Sequence, residues 1–114
     1  MRIIIGGALG RMGREMAAAA ADAGAEIVCG VDVAYNGQDT DFPVVKEYGQ
    51  ITAAADVLVD FSRADGLPDL LRYAEGAKMP LVLCATGYTD EQLKSIDAAA
   101  AGLPILQSVN MSLG

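Results

Sequence analysis

Residues 3 to 24 constrain the fold of this chain more than any other stretch. Ile3-Ile4-Ile5 suits a buried strand, Gly6, Gly7, Gly10 and Gly13 suit a tight turn, and Met12, Met16, Ala20 and Ala23 recur at helical spacing. A strand, turn and helix in this order make a phosphate site. The first helical N–H groups have no partner within the helix and point, with the positive end of its dipole, at whatever lies above the strand. Gly10 and Gly13 match the second and third glycines of a G-x-G-x-x-G turn, with Ala8 where the first would stand. The next segment strengthens the reading. Glu26-Ile27-Val28-Cys29-Gly30-Val31 is a second apolar run and ends in Asp32, 19 positions beyond Gly13, where a dinucleotide fold places the carboxylate that accepts hydrogen bonds from the adenosine ribose.

At 114 residues the chain makes one domain at most, with room for a core, and its 53% hydrophobic content fits an alanine- and glycine-rich α/β domain better than a disordered chain. The net charge of −7 argues against a nucleic-acid track, while a local nest of N–H groups still suits a dinucleotide's phosphates. No apolar run has the length of a membrane span, Met1 to Gly7 is too short for a signal-peptide core, and the expected compartment is the cytoplasm, without a membrane partner. Cys29 and Cys84 both fall in expected strands. In a 3-2-1-4 order these lie two positions apart, about 9–10 Å, too far for a disulfide. Both read as small core residues, with Cys84 close to the ligand.

Residues 33 to 43 carry loop signals, Asn36-Gly37 and Pro43 among them. Val44-Val45 suggests a short edge strand and Thr52 to Ala55 one helical turn. Asp56 to Ser62 reads as a third buried strand. Asp65 is the expected N-cap of a helix with Pro68 in its first turn and Leu67, Leu70, Leu71 and Ala74 on one face. Leu81 to Ala85 is a fourth strand. Thr89 and Gln92 form a capping box ahead of Leu93, Ile96 and Ala100, Gly102 and Pro104 end that helix, and Leu103 to Gln107 is a fifth strand. The alternation predicts a Rossmann-like, doubly wound parallel sheet with helices on both faces, a three-layer α/β/α domain. Its ligand belongs outside the carboxyl ends of the strands, at the switch point between strands one and four. Gly7 to Gly13, Phe61-Ser62 and Cys84 to Gly87 converge there, with Ser108 to Met111 beside them.

These residues together resemble one family, dihydrodipicolinate reductase, also called 4-hydroxy-tetrahydrodipicolinate reductase, of diaminopimelate and lysine biosynthesis. The resemblance rests on Gly7-Ala8-Leu9-Gly10-Arg11-Met12-Gly13, Asp60-Phe61-Ser62, Ala85-Thr86-Gly87-Tyr88 and Ser108-x-Asn110-x-Ser112-x-Gly114, in order and each after a strand. It implies that the glycine loop holds the pyrophosphate of NADH or NADPH and Asp32 the adenosine ribose. It also implies that Cys84, Ala85 and Thr86, with Ser108, Val109, Asn110 and Met111, flank the nicotinamide. The family often has glycine and threonine where this chain has Cys84 and Ala85, which leaves backbone contacts there. Some members carry an arginine after the ribose acid to pair with the NADP phosphate. Val33 stands at that position, so NADH is the favoured cofactor.

The resemblance further implies hydride transfer from NAD(P)H to a cyclic unsaturated dicarboxylate, in a homo-oligomer whose contacts come mostly from a second domain. That domain carries a His-His-x-x-Lys motif, and this chain contains no histidine. Residues 1 to 114 are therefore expected to be the cofactor domain up to the interdomain hinge, with no catalytic residue of their own and the dicarboxylate binding only where the second domain is present. Two other readings stay open: a stand-alone dinucleotide-binding or redox-sensing module, and the cofactor domain of another amino-acid dehydrogenase, of aspartate or homoserine type. Met12, Met16 and Met79 read as core filling, and Asp39-Thr40-Asp41 as solvated rather than a metal site. A phosphate nearby would explain Arg11, a cation at a helix N-terminus. None of Lys46, Lys78 and Lys94 lies in an expected strand-end loop facing the cleft, although Arg11 or Lys46 could still rescue NADPH binding if the fold brings one close.

Overall fold

The structure, a computed structural model, describes residues 1–108. Six parallel strands lie in the order β3-β2-β1-β4-β5-β6. They are β1 (Arg2–Gly6), β2 (Glu26–Val31), β3 (Val44–Val45), β4 (Val57–Asp60), β5 (Leu81–Leu83) and β6 (Ile105–Gln107). Three helices connect them: α1 (Arg11–Asp22), α2 (Leu67–Ala77) and α3 (Asp90–Ala100). The predicted three-layer, doubly wound class holds.

The period of two along each strand sorts the side chains into two cores. Ile4, Leu58, Leu81 and Leu83 face α2 and α3, where Leu67, Leu70, Leu71, Ala74, Ile96 and Ala99 complete the larger core. Ile3, Ile5 and Val59 face the other way and pack with Ala20 and Met16 of α1. Ile4, Ile5 and Leu58 have no exposed surface. Burying such a side chain contributes about 1.5–3 kcal/mol, so β1 and β4 form the rigid centre from which the cleft loops depart. The α1 side of the outer strands is more open, and Leu106 remains 63% exposed.

Several local expectations are corrected. Thr52 to Ala55 form no helical turn; the turn lies earlier, as a 3₁₀ segment at Tyr48–Gln50 that Gln50 caps by accepting from the Glu47 N–H. Asp65 is not an N-cap, because Ala64–Gly66 already form a 3₁₀ turn leading into α2, and Gly66 takes the cap position without a side-chain bond. The Thr89–Gln92 capping box is present, but Ala99 rather than Ala100 accompanies Ile96 into the core, and Leu93 is 38% exposed. Met79 is buried and Met16 packs against the α1 core as expected, whereas Met12 is 40% exposed and lies on the cleft. Cys84 follows β5 rather than lying in it. Cys29 is on β2, three strand intervals from β5 rather than two, and both thiols are free and buried.

Candidate functional site

The carboxyl ends of the strands form a continuous row, because each ladder extends one residue past its strand. Asp32 N–H donates to Val45 O, Gly7 N–H to Val31 O, Phe61 N–H to Gly6 O, Cys84 N–H to Asp60 O and Ser108 N–H to Leu83 O, all at 2.8–2.9 Å. One segment of every sequence-identified loop therefore leaves the sheet at the same edge, at fixed spacing. Val109, Asn110 and Met111 lie outside the described residues.

Above β1 the chain turns through Gly7, whose φ of +72° favours glycine. Gly13 is required by close approach, since a Cβ there would come within 2.3 Å of the Gly7 carbonyl oxygen and 3.0 Å of Ala8 Cα. Gly10 differs. A Cβ on it would meet only the Gly7 oxygen at 3.4 Å, and the residue borders the cleft, so its bareness leaves room for a ligand. Gly10 is also the N-cap of α1, with no side-chain cap and no acidic residue in the first turn. The free amides of Arg11, Met12 and Gly13 are thus at the disposal of an anion. The Arg11 side chain turns outward, 91% exposed, and meets Glu15 at 3.4 Å.

Asp32 is held from two sides: its Oδ2 accepts the Leu9 N–H and its Oδ1 the Ala34 N–H, both at 2.9 Å. Each oxygen keeps a lone pair for a hydroxyl, so the carboxylate is fixed without being saturated. It lies in a hollow of about 660 Å³ with Gly7, Gly10, Val33, Lys46 and Tyr48. A second hollow, of about 610 Å³, is lined by Met12, Cys84, Ala85 and Thr86. Phe61, Ser62, Arg63 and Asp65 border both, so the loop after β4 divides one long cleft into two halves. Two adjoining hollows straddling an uncapped helix N-terminus match the outline of two nucleotides joined by a pyrophosphate.

That dividing loop is anchored from below. Asp60, 1% exposed, accepts three hydrogen bonds on Oδ1: from Ser62 Oγ at 2.6 Å, Ser62 N–H at 3.2 Å and Tyr48 Oη at 3.3 Å. Burial pushes its carboxyl above the usual carboxylate range against the lowering effect of these bonds. Burial, with the Asp60 and Cys84 charges as lesser causes, pushes the Tyr88 hydroxyl up to about 12. That hydroxyl is buried without a partner among the described residues. Burial likewise raises the Cys29 and Cys84 thiols.

All thirteen sequence-identified cleft residues up to Thr86 thus flank one edge, although Arg11 and Gly13 present only backbone there. Sequence reasoning missed Tyr48 and Arg63. Lys46, expected outside the strand-end loops that face the cleft but, with Arg11, a cation able to serve NADPH if the fold brings it close, borders the hollow with Asp32.

The parallel α/β/α sandwich, the glycine turn into an uncapped helix and the carboxylate at the tip of β2 define a dinucleotide-binding domain of Rossmann type. Residues 1–111 match the family model described as dihydrodipicolinate reductase, N-terminus, and the chain belongs to that family. It is 39% identical over 115 residues to 4-hydroxy-tetrahydrodipicolinate reductase of Caldanaerobacter subterraneus subsp. tengcongensis, and 40% identical over 115 residues to that of Clostridium tetani. Each match spans 100% of this chain and 45% of the relative, so the chain covers less than half the length of these relatives. Among solved structures, the dipicolinate-bound dihydrodipicolinate reductase from Paenisporosarcina sp. TG-14 superimposes with a TM-score of 0.81, at 22% identity, over 99% of this chain and 48% of that one. The WlbA dehydrogenase from Thermus thermophilus, in complex with NAD and α-ketoglutarate, gives 0.75 at 14% identity, over 100% of this chain and 43% of that one. At these identities the two structures bear on the fold alone.

Proposed function

We propose that this chain binds a nicotinamide dinucleotide, NADH at least as well as NADPH, as the cofactor domain of a 4-hydroxy-tetrahydrodipicolinate reductase. The observation that carries the proposal is the pairing of a fixed, unsaturated carboxylate at Asp32 with the uncapped α1 N-terminus. Asp32 would accept the adenosine ribose hydroxyls, and the amides after Gly10 would receive the pyrophosphate. Phe61 and Ser62 would separate the two nucleotides, and Cys84, Ala85 and Thr86 would line the nicotinamide half. The bound cofactor supplies hydride; this chain's share is to hold and orient it. The relatives' name supplies the acceptor, a cyclic unsaturated dicarboxylate, and the relatives' greater length leaves room for a substrate domain.

A carboxylate that accepts two ribose hydroxyls repels a phosphate on one of them, and Val33 brings no charge to offset this. The reading also assigns no proton donor to the chain. No histidine is present, and general acid catalysis typically contributes about 10²–10⁴-fold. The test is a pair of measurements on one sample of these 114 residues. Calorimetry should show NADH binding, weakened by Asp32→Ala, and an absorbance assay with the dicarboxylate present should show no NADH oxidation. Absence of binding refutes the dinucleotide reading, and substrate-dependent oxidation refutes the assignment of the chain as cofactor domain alone.

A further inference from the structure

The position directly after the ribose acid is where a dinucleotide domain can place a cation for the 2′-phosphate, and here it is Val33, 82% exposed and uncharged. The neighbouring strand supplies a cation instead. Gly30 pairs with Val44 and Val31 with Val45, and the Asp32 N–H to Val45 O bond extends this register, so Lys46, the residue directly after β3, comes beside Asp32. Lys46 borders the same hollow as Asp32 and Val33. Its backbone is fixed, because Gln50 Oε1 accepts the N–H groups of both Lys46, at 3.0 Å, and Glu47, at 3.1 Å. The lysine after β3 therefore has an anchored backbone and an exposed side chain.

The other cations near the cleft have partners. Arg63 meets Asp65 at 3.8 Å, Arg72 meets Asp69 at 3.1 Å, and Arg11 meets Glu15. Lys46 is in no ion pair among the described residues. A hydroxyl of the ribose held by Asp32 is the point from which the 2′-phosphate would project, on the side where β3 flanks β2. Glu47 borders the same hollow and opposes an anion, so the ammonium must act at short range.

Building on the dinucleotide reading, we propose that Lys46, from the strand next to the ribose acid, is the residue through which this domain accepts the 2′-phosphate of NADPH. Lys46 thereby sets the margin between the two cofactors. It leaves NADH untouched, because NADH has no group at that point, and it offsets part of the Asp32 repulsion for NADPH.

The experiment titrates NADH and NADPH into the purified wild-type protein and into Lys46→Ala, Lys46→Arg and Arg72→Ala, at low and at physiological ionic strength. Lys46→Ala is expected to weaken NADPH about tenfold and to leave NADH within about twofold, since a hydrogen bond to a charged group contributes on this order. Lys46→Arg restores NADPH. The salt dependence of NADPH binding, steeper than that of NADH in the wild type, flattens in Lys46→Ala. Equal loss of both cofactors, an unchanged NADPH affinity, or a selective loss in Arg72→Ala alone overturns the assignment while leaving the dinucleotide reading intact. Failure of the wild type to bind either cofactor overturns both.

Discussion

Replacing Gly13 by alanine should damage this domain, although alanine is the better helix former. A Cβ at Gly13 would stand 2.3 Å from the Gly7 carbonyl oxygen and 3.0 Å from Gly7 C and Ala8 Cα. All three are backbone atoms, so no side chain can swing aside. Relief requires the glycine turn and the first turn of α1 to separate by about 1 Å, a forced overpacking that typically costs about 1–3 kcal/mol. The gain in helix propensity is at most about 1 kcal/mol and is smallest near a helix end. The net loss is on the order of 1–2 kcal/mol. Gly76 provides the control: it lies exposed in the last turn of α2, and a Cβ there meets nothing within 4 Å, so Gly76→Ala keeps a propensity gain, itself reduced by the helix end to below about 1 kcal/mol. With urea slopes of about 1–3 kcal/mol/M, the two midpoints move in opposite directions by a few tenths of a molar or more. Binding separates them as well. Shifting the turn moves the α1 amides away from the pyrophosphate, so Gly13→Ala should weaken NADH about tenfold or more, while Gly76→Ala should leave it unchanged. A Gly13→Ala protein with a wild-type urea midpoint and wild-type NADH affinity would refute the claim that the turn and helix are in contact at their closest distance.

Asp60 makes stability depend on pH with a definite sign. Its folded pKa lies above the unfolded value, so across that interval the folded state binds more protons, and the stabilisation, complete below the unfolded carboxylate pKa, is lost as pH rises through the folded one. Urea midpoints measured across this acidic range should show that component disappear in Asp60→Asn, which keeps an oxygen to accept from Ser62 and Tyr48; an unchanged slope contradicts the assignment. Cys29, buried in the core with a raised thiol, should react with iodoacetamide only at the rate of opening, and Cys84, which borders the cleft with a raised thiol, more slowly than a free cysteine at neutral pH. Rapid labelling of Cys29 in the native protein would show that the core around it is not closed.

What was legible in the sequence divides along a physical line. Features set by one contiguous segment could be read directly: the apolar runs of β1, β2, β4 and β5, the glycine turn, Asp32 at a strand tip, and the Thr89–Gln92 box. Each is enforced by local geometry or by burial on both sheet faces, and each leaves its own pattern. The departures sit where two segments compete. Asp65 has the right residue type for an N-cap, yet the chain leaves β4 through a tight turn that Asp60 holds by Ser62, and that turn uses up the capping position. Met12 has the spacing of a core residue on α1, but α1 starts only one residue earlier, so its first turn overhangs the sheet edge and faces the cleft.

Lys46 shows the same principle from the side of function. The span from Asp32 to Pro43 carries loop signals, and Val44-Val45 suggests an edge strand without indicating which strand it joins. The pairing of Val44-Val45 with Gly30-Val31 supplies that. A Cβ at Gly30 would come within 2.6 Å of Ala8 Cβ and 2.8 Å of Phe42 Cε1, so glycine lets the turn after β1 and the loop before β3 close over β2 together. The close approach that packs Ala8 beneath the phosphate turn thereby also brings β3, and Lys46 at its end, beside Asp32. On the proposed reading, cofactor discrimination rests on two residues 14 positions apart, Asp32 and Lys46, which the missing side chain at Gly30 helps bring to the same hollow.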